Sequence, residues 1–207
     1  MKTATKSKKQ VDEQQCKPLA WTAAKKALTN LEKKGEHQNL ALLAVGFYTG
    51  LRISDILQRK FIDFLKADTI TVTEQKTKKE RTIQITQTLK NIIQVCKVEL
   101  KKKDQDFIFT NNRYKSNKPI TAAAAITRIN QSLVSCGFSE EKSGNLSGHT
   151  LRKTFALRYY ELAANEVGEF RALSELSKIL KHSNIEVTRR YICLDKQTQA
   201  NIFTNFD

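Results

Sequence analysis

Apolar side chains recur along this chain at two periods. From Leu19 to about Lys34, Trp21, Ala24, Leu28 and Leu31 fall at helical spacing, and Gly35 ends the run. His37 opens a second helix whose segment LALLAVGFY is apolar almost all round, the pattern of a helix buried on every side. After Gly50 turns the chain, RISDIL predicts a short helix with Arg52 and Asp55 three apart on one face. FIDF follows, and then the period changes to two. TITVT (69–73) and RTIQI (81–85) alternate β-branched and polar residues and predict a hairpin whose turn holds Lys76, Lys78 and Lys79. Helical spacing returns over 86–102, 121–135, 149–165, 169–181 and 184–192, interrupted by a polar loop at 110–119 with Asn111, Asn112, Asn117 and Pro119. The expected fold class is α+β: mostly helical, with one small antiparallel sheet formed by the Lys76 hairpin. No internal repeat is present.

The two ends read differently. Residues 1–17 carry Lys2, Lys6, Lys8, Lys9 and Lys17 with few large apolar side chains, so they predict a disordered basic arm, with a single folded domain over 18–194. In the tail, 195–207, Ile202, Phe203 and Phe206 are spaced to share one apolar edge of a short helix. His37 is assigned to the solvated surface.

Charge narrows the class of partner. With 36 Lys and Arg against 21 Asp and Glu, the chain carries a formal net charge of +15, a field that attracts polyphosphates and makes double-stranded DNA the expected partner. The four cysteines, Cys16, Cys96, Cys136 and Cys193, form no CxxC pattern, which argues against a zinc site or a disulfide framework and fits a reducing cytoplasm. No apolar run of about 18 residues and no signal peptide is present, so neither a membrane partner nor export is expected. No metal-binding carboxylate cluster and no cofactor motif stands out.

Candidate chemistry gathers at a few positions, each of which also has a structural reading. Arg52, after the Gly50 turn, suits two phosphate oxygens, or else pairs with Asp55. Lys76 can deliver a proton from a mobile turn, although Lys78 or Lys79 could serve equally and a solvated tip is the simpler alternative. His149 and Arg152, three apart behind a Ser147 or Gly148 cap, offer a phosphate cradle at a helix N-terminus. His182 closes the helix LSKILKH, where a histidine can simply complement the dipole, and Tyr191 in TRRYICL can be a packed aromatic or a nucleophile.

Taken together, Arg52, Lys76, His149, Arg152, His182 and Tyr191 resemble, in order and spacing, the catalytic set of the tyrosine recombinases, also called phage-type integrases. The segments that carry the resemblance are YTGLRISDIL, TVTEQKTKKERTIQI, GHTLRKTFALRYY and LSKILKHSNIEVTRRY, and it covers about residues 19–195. It implies that Tyr191 attacks a DNA backbone phosphate to give a 3′-phosphotyrosyl link, without ATP or another cofactor. Arg52, Arg152 and His182 would stabilise the phosphate, Lys76 would act as general acid, His149 would orient or deprotonate the tyrosine, and Asp55 would buttress the site. Lys78, Lys79, Lys153 and Lys181 would contact DNA. It further implies a homo-tetramer on DNA joined through the tail, a possible accessory DNA-bending protein and a nucleoid-associated, cytoplasmic location. The outcome could be integration, excision, inversion or resolution.

Two departures from the family pattern stand out. The family commonly has Gly before its last histidine, where this chain has Lys181. Typical members also carry a helical domain ahead of the catalytic one, whereas about 18 residues precede the first helix here, as expected of a single-domain recombinase or a catalytic fragment. Two competitors remain at this point: a type IB topoisomerase, which uses the same chemistry to religate one strand, and a non-catalytic DNA-binding regulator.

Overall fold

In a computed structural model, the described residues are 16–73, 75, 80–111, 117–139 and 144–194. They form α1 (Trp21–Lys33), α2 (His37–Thr49), α3 (Ile53–Leu57), α4 (Phe61–Leu65), β1 (Thr69–Thr73) and β2 (Glu80–Gln84). There follow α5 (Gln87–Glu99), α6 (Ala122–Ser135), α7 (Gly148–Val167), α8 (Glu169–Leu180) and α9 (Ile185–Tyr191). The fold is mostly helical, and β1 and β2 pair antiparallel, with Ile70 opposite Ile83 and Val72 opposite Arg81. None of the described helices is long and apolar enough to cross a membrane.

The apolar run of α2 makes it the centre of the core: Leu40 through Val45 and Phe47 are almost wholly buried. Its C-terminal half meets the start of α7 at very close range, because a Cβ on Gly46 would stand 2.5 Å from Leu151 Cδ1 and one on Gly50 would stand 2.3 Å from Phe155. Gly50 also needs its positive φ of +60° to reverse the chain out of α2. These two glycines therefore let the turn after α2 lie directly against α7. A second, smaller core of Ala156, Tyr160, Leu173, Leu176, Leu180 and Ile192 joins α7, α8 and α9.

Several local expectations are corrected. Arg52 is not inside a helix but is the extended residue just before α3 (φ −70°, ψ 151°), so it and Asp55 do not form a helical i, i+3 pair. FIDF, to which the sequence pattern assigned no element, forms the helix α4, with the Asp63 carboxylate accepting from the Lys60 backbone N–H. His37 is not solvated: it starts α2 with its side chain 17% exposed and Nε2 3.8 Å from the Glu99 carboxylate. Residues 1–15 of the expected arm lie outside the described residues. Its last positions, Cys16 and Lys17, lie within them, and Cys16 is half-buried beside α7. The tail over 195–207 also lies outside the described residues.

Candidate active site

Four segments meet where the turn after α2 touches α7: that turn, the root of the hairpin, the first turns of α7, and the α8–α9 connection. Arg152, one turn into α7, is 3% exposed; its Nη1 donates to the Gly50 carbonyl and its Nη2 to the Leu180 carbonyl at 3.1 Å. Both acceptors are helix C-terminal carbonyls, which lack partners within their own helices, so a cation is well placed there. A single guanidinium thus ties the turn preceding Arg52 to the turn preceding His182.

The α8–α9 connection is held by its own geometry. Lys181 adopts the left-handed conformation (φ 57°). The His182 N–H donates to the Ser177 carbonyl at 3.0 Å and the Lys181 N–H to the Lys178 carbonyl at 3.2 Å, the paired bonds of a Schellman C-cap. That conformation favours glycine, which gives a physical reason for the Gly that the resemblance led us to expect here. The Lys181 side chain, expected to reach DNA, donates to the Glu80 carbonyl at 2.9 Å and links this cap to the hairpin.

His182 and Tyr191 lie edge to face, with ring centroids 4.9 Å apart. The Thr188 hydroxyl is 3.0 Å from His182 Nδ1, fixing the ring and leaving Nε2 as the nitrogen not engaged by Thr188. Burial, then the cations of Arg152 and Arg52, hold the imidazole below its ordinary range and so favour its neutral form. Burial pushes the Tyr191 phenol up to about 12, against the opposite pull of Arg152 and Arg52. The Tyr191 oxygen is buried, and the Arg152 side chain is close enough for its charge to favour the ionised phenol.

Of the residues singled out from sequence, Arg52, Arg152, His182 and Tyr191 come together: both arginines act on both the imidazole and the phenol. His149 is exposed on the first turn of α7, one turn before Arg152. Asp55, 1% exposed, accepts from the Gln75 N–H at 3.0 Å, at the β1 end of the hairpin. Lys153, expected to face DNA, is buried instead: Nζ donates to the Cys16 carbonyl at 2.7 Å and lies 5.2 Å from the centre of the Tyr191 ring. Lys76, Lys78 and Lys79 lie outside the described residues.

Two residues escaped sequence reasoning. Thr188 shares a helical face with Tyr191 at i, i+3, a signal that was available. Arg81 is 8% exposed and donates through Nη2 to the Thr49 carbonyl at 2.8 Å. Its signal was the strand alternation itself, because the pattern that turns Ile83 inward turns Arg81 inward too.

The sequence model of the phage integrase family matches residues 11–198 of this chain. The chain belongs to the phage integrase family. Among relatives, the probable integrase/recombinase YoeC of Bacillus subtilis (strain 168) is 33% identical over 165 residues, covering 80% of this chain and 82% of its own length. The tyrosine recombinase XerD of Staphylococcus saprophyticus is 26% identical over 182 residues, or 86% of this chain. Against that longer relative the chain spans 57% of the length. The crystal structure of XerA recombinase shares the fold at a TM-score of 0.66 and 22% identity, over 90% of this chain and 64% of that one. The XerH recombinase bound to its palindromic difH substrate, in a post-cleavage complex, shares it at 0.65 and 22%, over 92% and 53%. Within this family the four segments that meet at Arg152 are those that carry the resemblance in sequence.

Proposed function

We infer that this chain acts as a site-specific DNA recombinase that cuts and rejoins double-stranded DNA through a 3′-phosphotyrosyl intermediate on Tyr191. The observation that carries this reading is the meeting of a buried phenol, an imidazole biased toward its neutral form and two guanidiniums at one point. In the proposed step the Tyr191 oxygen bonds to the backbone phosphorus as the bond from phosphorus to the 5′-oxygen breaks. His149 takes or steers the phenol proton, and Lys76 delivers one to the departing oxygen. Arg52, Arg152 and the Nε2–H of His182 stabilise the charge on the nonbridging oxygens. The reverse attack, by a 5′-hydroxyl of a partner duplex, completes exchange without a nucleotide cofactor because the phosphodiester energy is retained in the tyrosyl link. A homo-tetramer on DNA, joined through the tail, and an accessory bending protein belong to the same reading.

The test is covalent trapping on a nicked suicide substrate. Wild type should accumulate a DNA–protein adduct, and Tyr191→Phe should bind the same DNA without forming one. An adduct in Tyr191→Phe removes Tyr191 as nucleophile, and no adduct in wild type leaves a DNA-binding regulator. Exchange of strands between two sites, rather than relaxation alone, separates a recombinase from a type IB topoisomerase.

A further inference from the structure

Arg81 occupies an inward position of β2, on the face that Ile70, Val72 and Ile83 bury. An apolar side chain there would cost nothing in desolvation, whereas a buried guanidinium is costly unless its donors are matched. They are matched at the C-terminal end of α2: Nη2 donates to the Thr49 carbonyl at 2.8 Å and Nη1 reaches the Gly50 carbonyl at 3.5 Å, with the Phe155 ring 5.6 Å away. The Gly50 carbonyl also accepts from Arg152, so the hairpin and α7 are tied to one atom of the turn that leads into Arg52. The hairpin root is held elsewhere as well. Gln75 donates its N–H to Asp55 Oδ1 at 3.0 Å, and the Glu80 carbonyl accepts from Lys181 at 2.9 Å.

We propose that Arg81 is a positioning residue for the proposed reaction, anchoring the hairpin root to the Thr49–Gly50 turn so that the hairpin's lysine delivers its proton to the leaving 5′-oxygen. This rests on the reading that a lysine between Gln75 and Glu80 is the general acid. Proton transfer demands hydrogen-bond reach, so the acid depends on how Gln75 and Glu80, the described residues on either side of it, are held. Lys181 acts in the same sense from the other side of the root, through the Glu80 carbonyl.

The experiment is single-turnover cleavage of two substrates, one with the ordinary phosphate and one with a 5′-bridging phosphorothiolate, whose sulfur departs without a proton. The proteins are wild type, Arg81→Met, Arg81→Lys, Arg152→Ala and alanine variants of Lys76, Lys78 and Lys79. Arg81→Met keeps a long buried side chain but no donors, and Arg81→Lys keeps one cation. Arg81→Met should slow the oxygen substrate by at least about tenfold, within the span of general-acid effects, and regain most of that rate on the sulfur substrate. Arg81→Lys should fall between it and wild type, and Arg152→Ala should stay slow on both. If one lysine variant is rescued but Arg81→Met is equally slow on both substrates, Arg81 is merely structural and the proposal fails alone. Wild-type rates for Arg81→Met on the oxygen substrate overturn it too. Rescue of none of the three lysine variants removes the hairpin as the proton source, and the reading of the acid falls with the proposal.

Discussion

Burial keeps the proton on Tyr191 well beyond neutral pH, and this has a measurable consequence for folding. With its value raised from 10.0 to about 12, the folded phenol stays neutral while the unfolded chain ionises. The stability it contributes is therefore full below pH 10 and is lost as pH rises toward 12. Urea titrations across that window should show a smaller alkaline loss for Tyr191→Phe than for wild type, and equal losses would mean that the phenol is solvated. Lys181 offers a second test at this scale. Its left-handed backbone strains any residue with a Cβ, so Lys181→Gly should be more stable than Lys181→Ala by about 1 kcal/mol, both having lost the bond to Glu80. Denaturation midpoints that coincide would place the left-handed conformation in doubt.

Among the elements, the contact of α2 with α7 does most to assemble the site, since it sets the Gly50 carbonyl against Arg152. Gly46→Ala would drive a methyl to 2.5 Å from Leu151, yet gain helix propensity, so a net loss of about 1–2 kcal/mol is expected. Gly50→Ala adds a left-handed penalty to a 2.3 Å clash with Phe155, for a loss of about 2–4 kcal/mol. Guanidinium unfolding of both variants checks the order, and a milder effect at Gly50 would contradict the close packing there. The hairpin shows how legible an element can be while its key residue is missed. Alternation in TITVT and RTIQI locates both strands to within one residue, but only the neighbouring α2 terminus gives the inward Arg81 a set of carbonyls to bind.

For the whole molecule, the proposed DNA binding should weaken with salt in proportion to the number of phosphates its cations contact, and the net charge of +15 leaves many cations for that role. Removing residues 1–15 deletes Lys2, Lys6, Lys8 and Lys9 but keeps Cys16, whose carbonyl holds Lys153. The slope of log affinity against log salt should flatten by at most roughly 3.6 units, at about 0.9 for each lost phosphate contact, while cleavage of an already bound site persists. Binding titrations at several salt concentrations check this, and an unchanged slope would show that the arm does not grip DNA.

The periodicities alone located the helices other than α4, the hairpin and the buried character of α2, because each follows from which side chains can leave water together along one face. The segments around Arg52, Arg152, His182 and Tyr191 were likewise readable, their residue types and spacing being local features. The tertiary structure decided what those residues touch. It moved Arg52 out of the helix, turned Lys153 beneath the tyrosine, gave Lys181 to the hairpin and set Thr188 against the imidazole. Each of these depends on a carbonyl, hydroxyl or ring from a separate segment or turn, and the satisfaction of a buried polar group is not written in the spacing of its own neighbours.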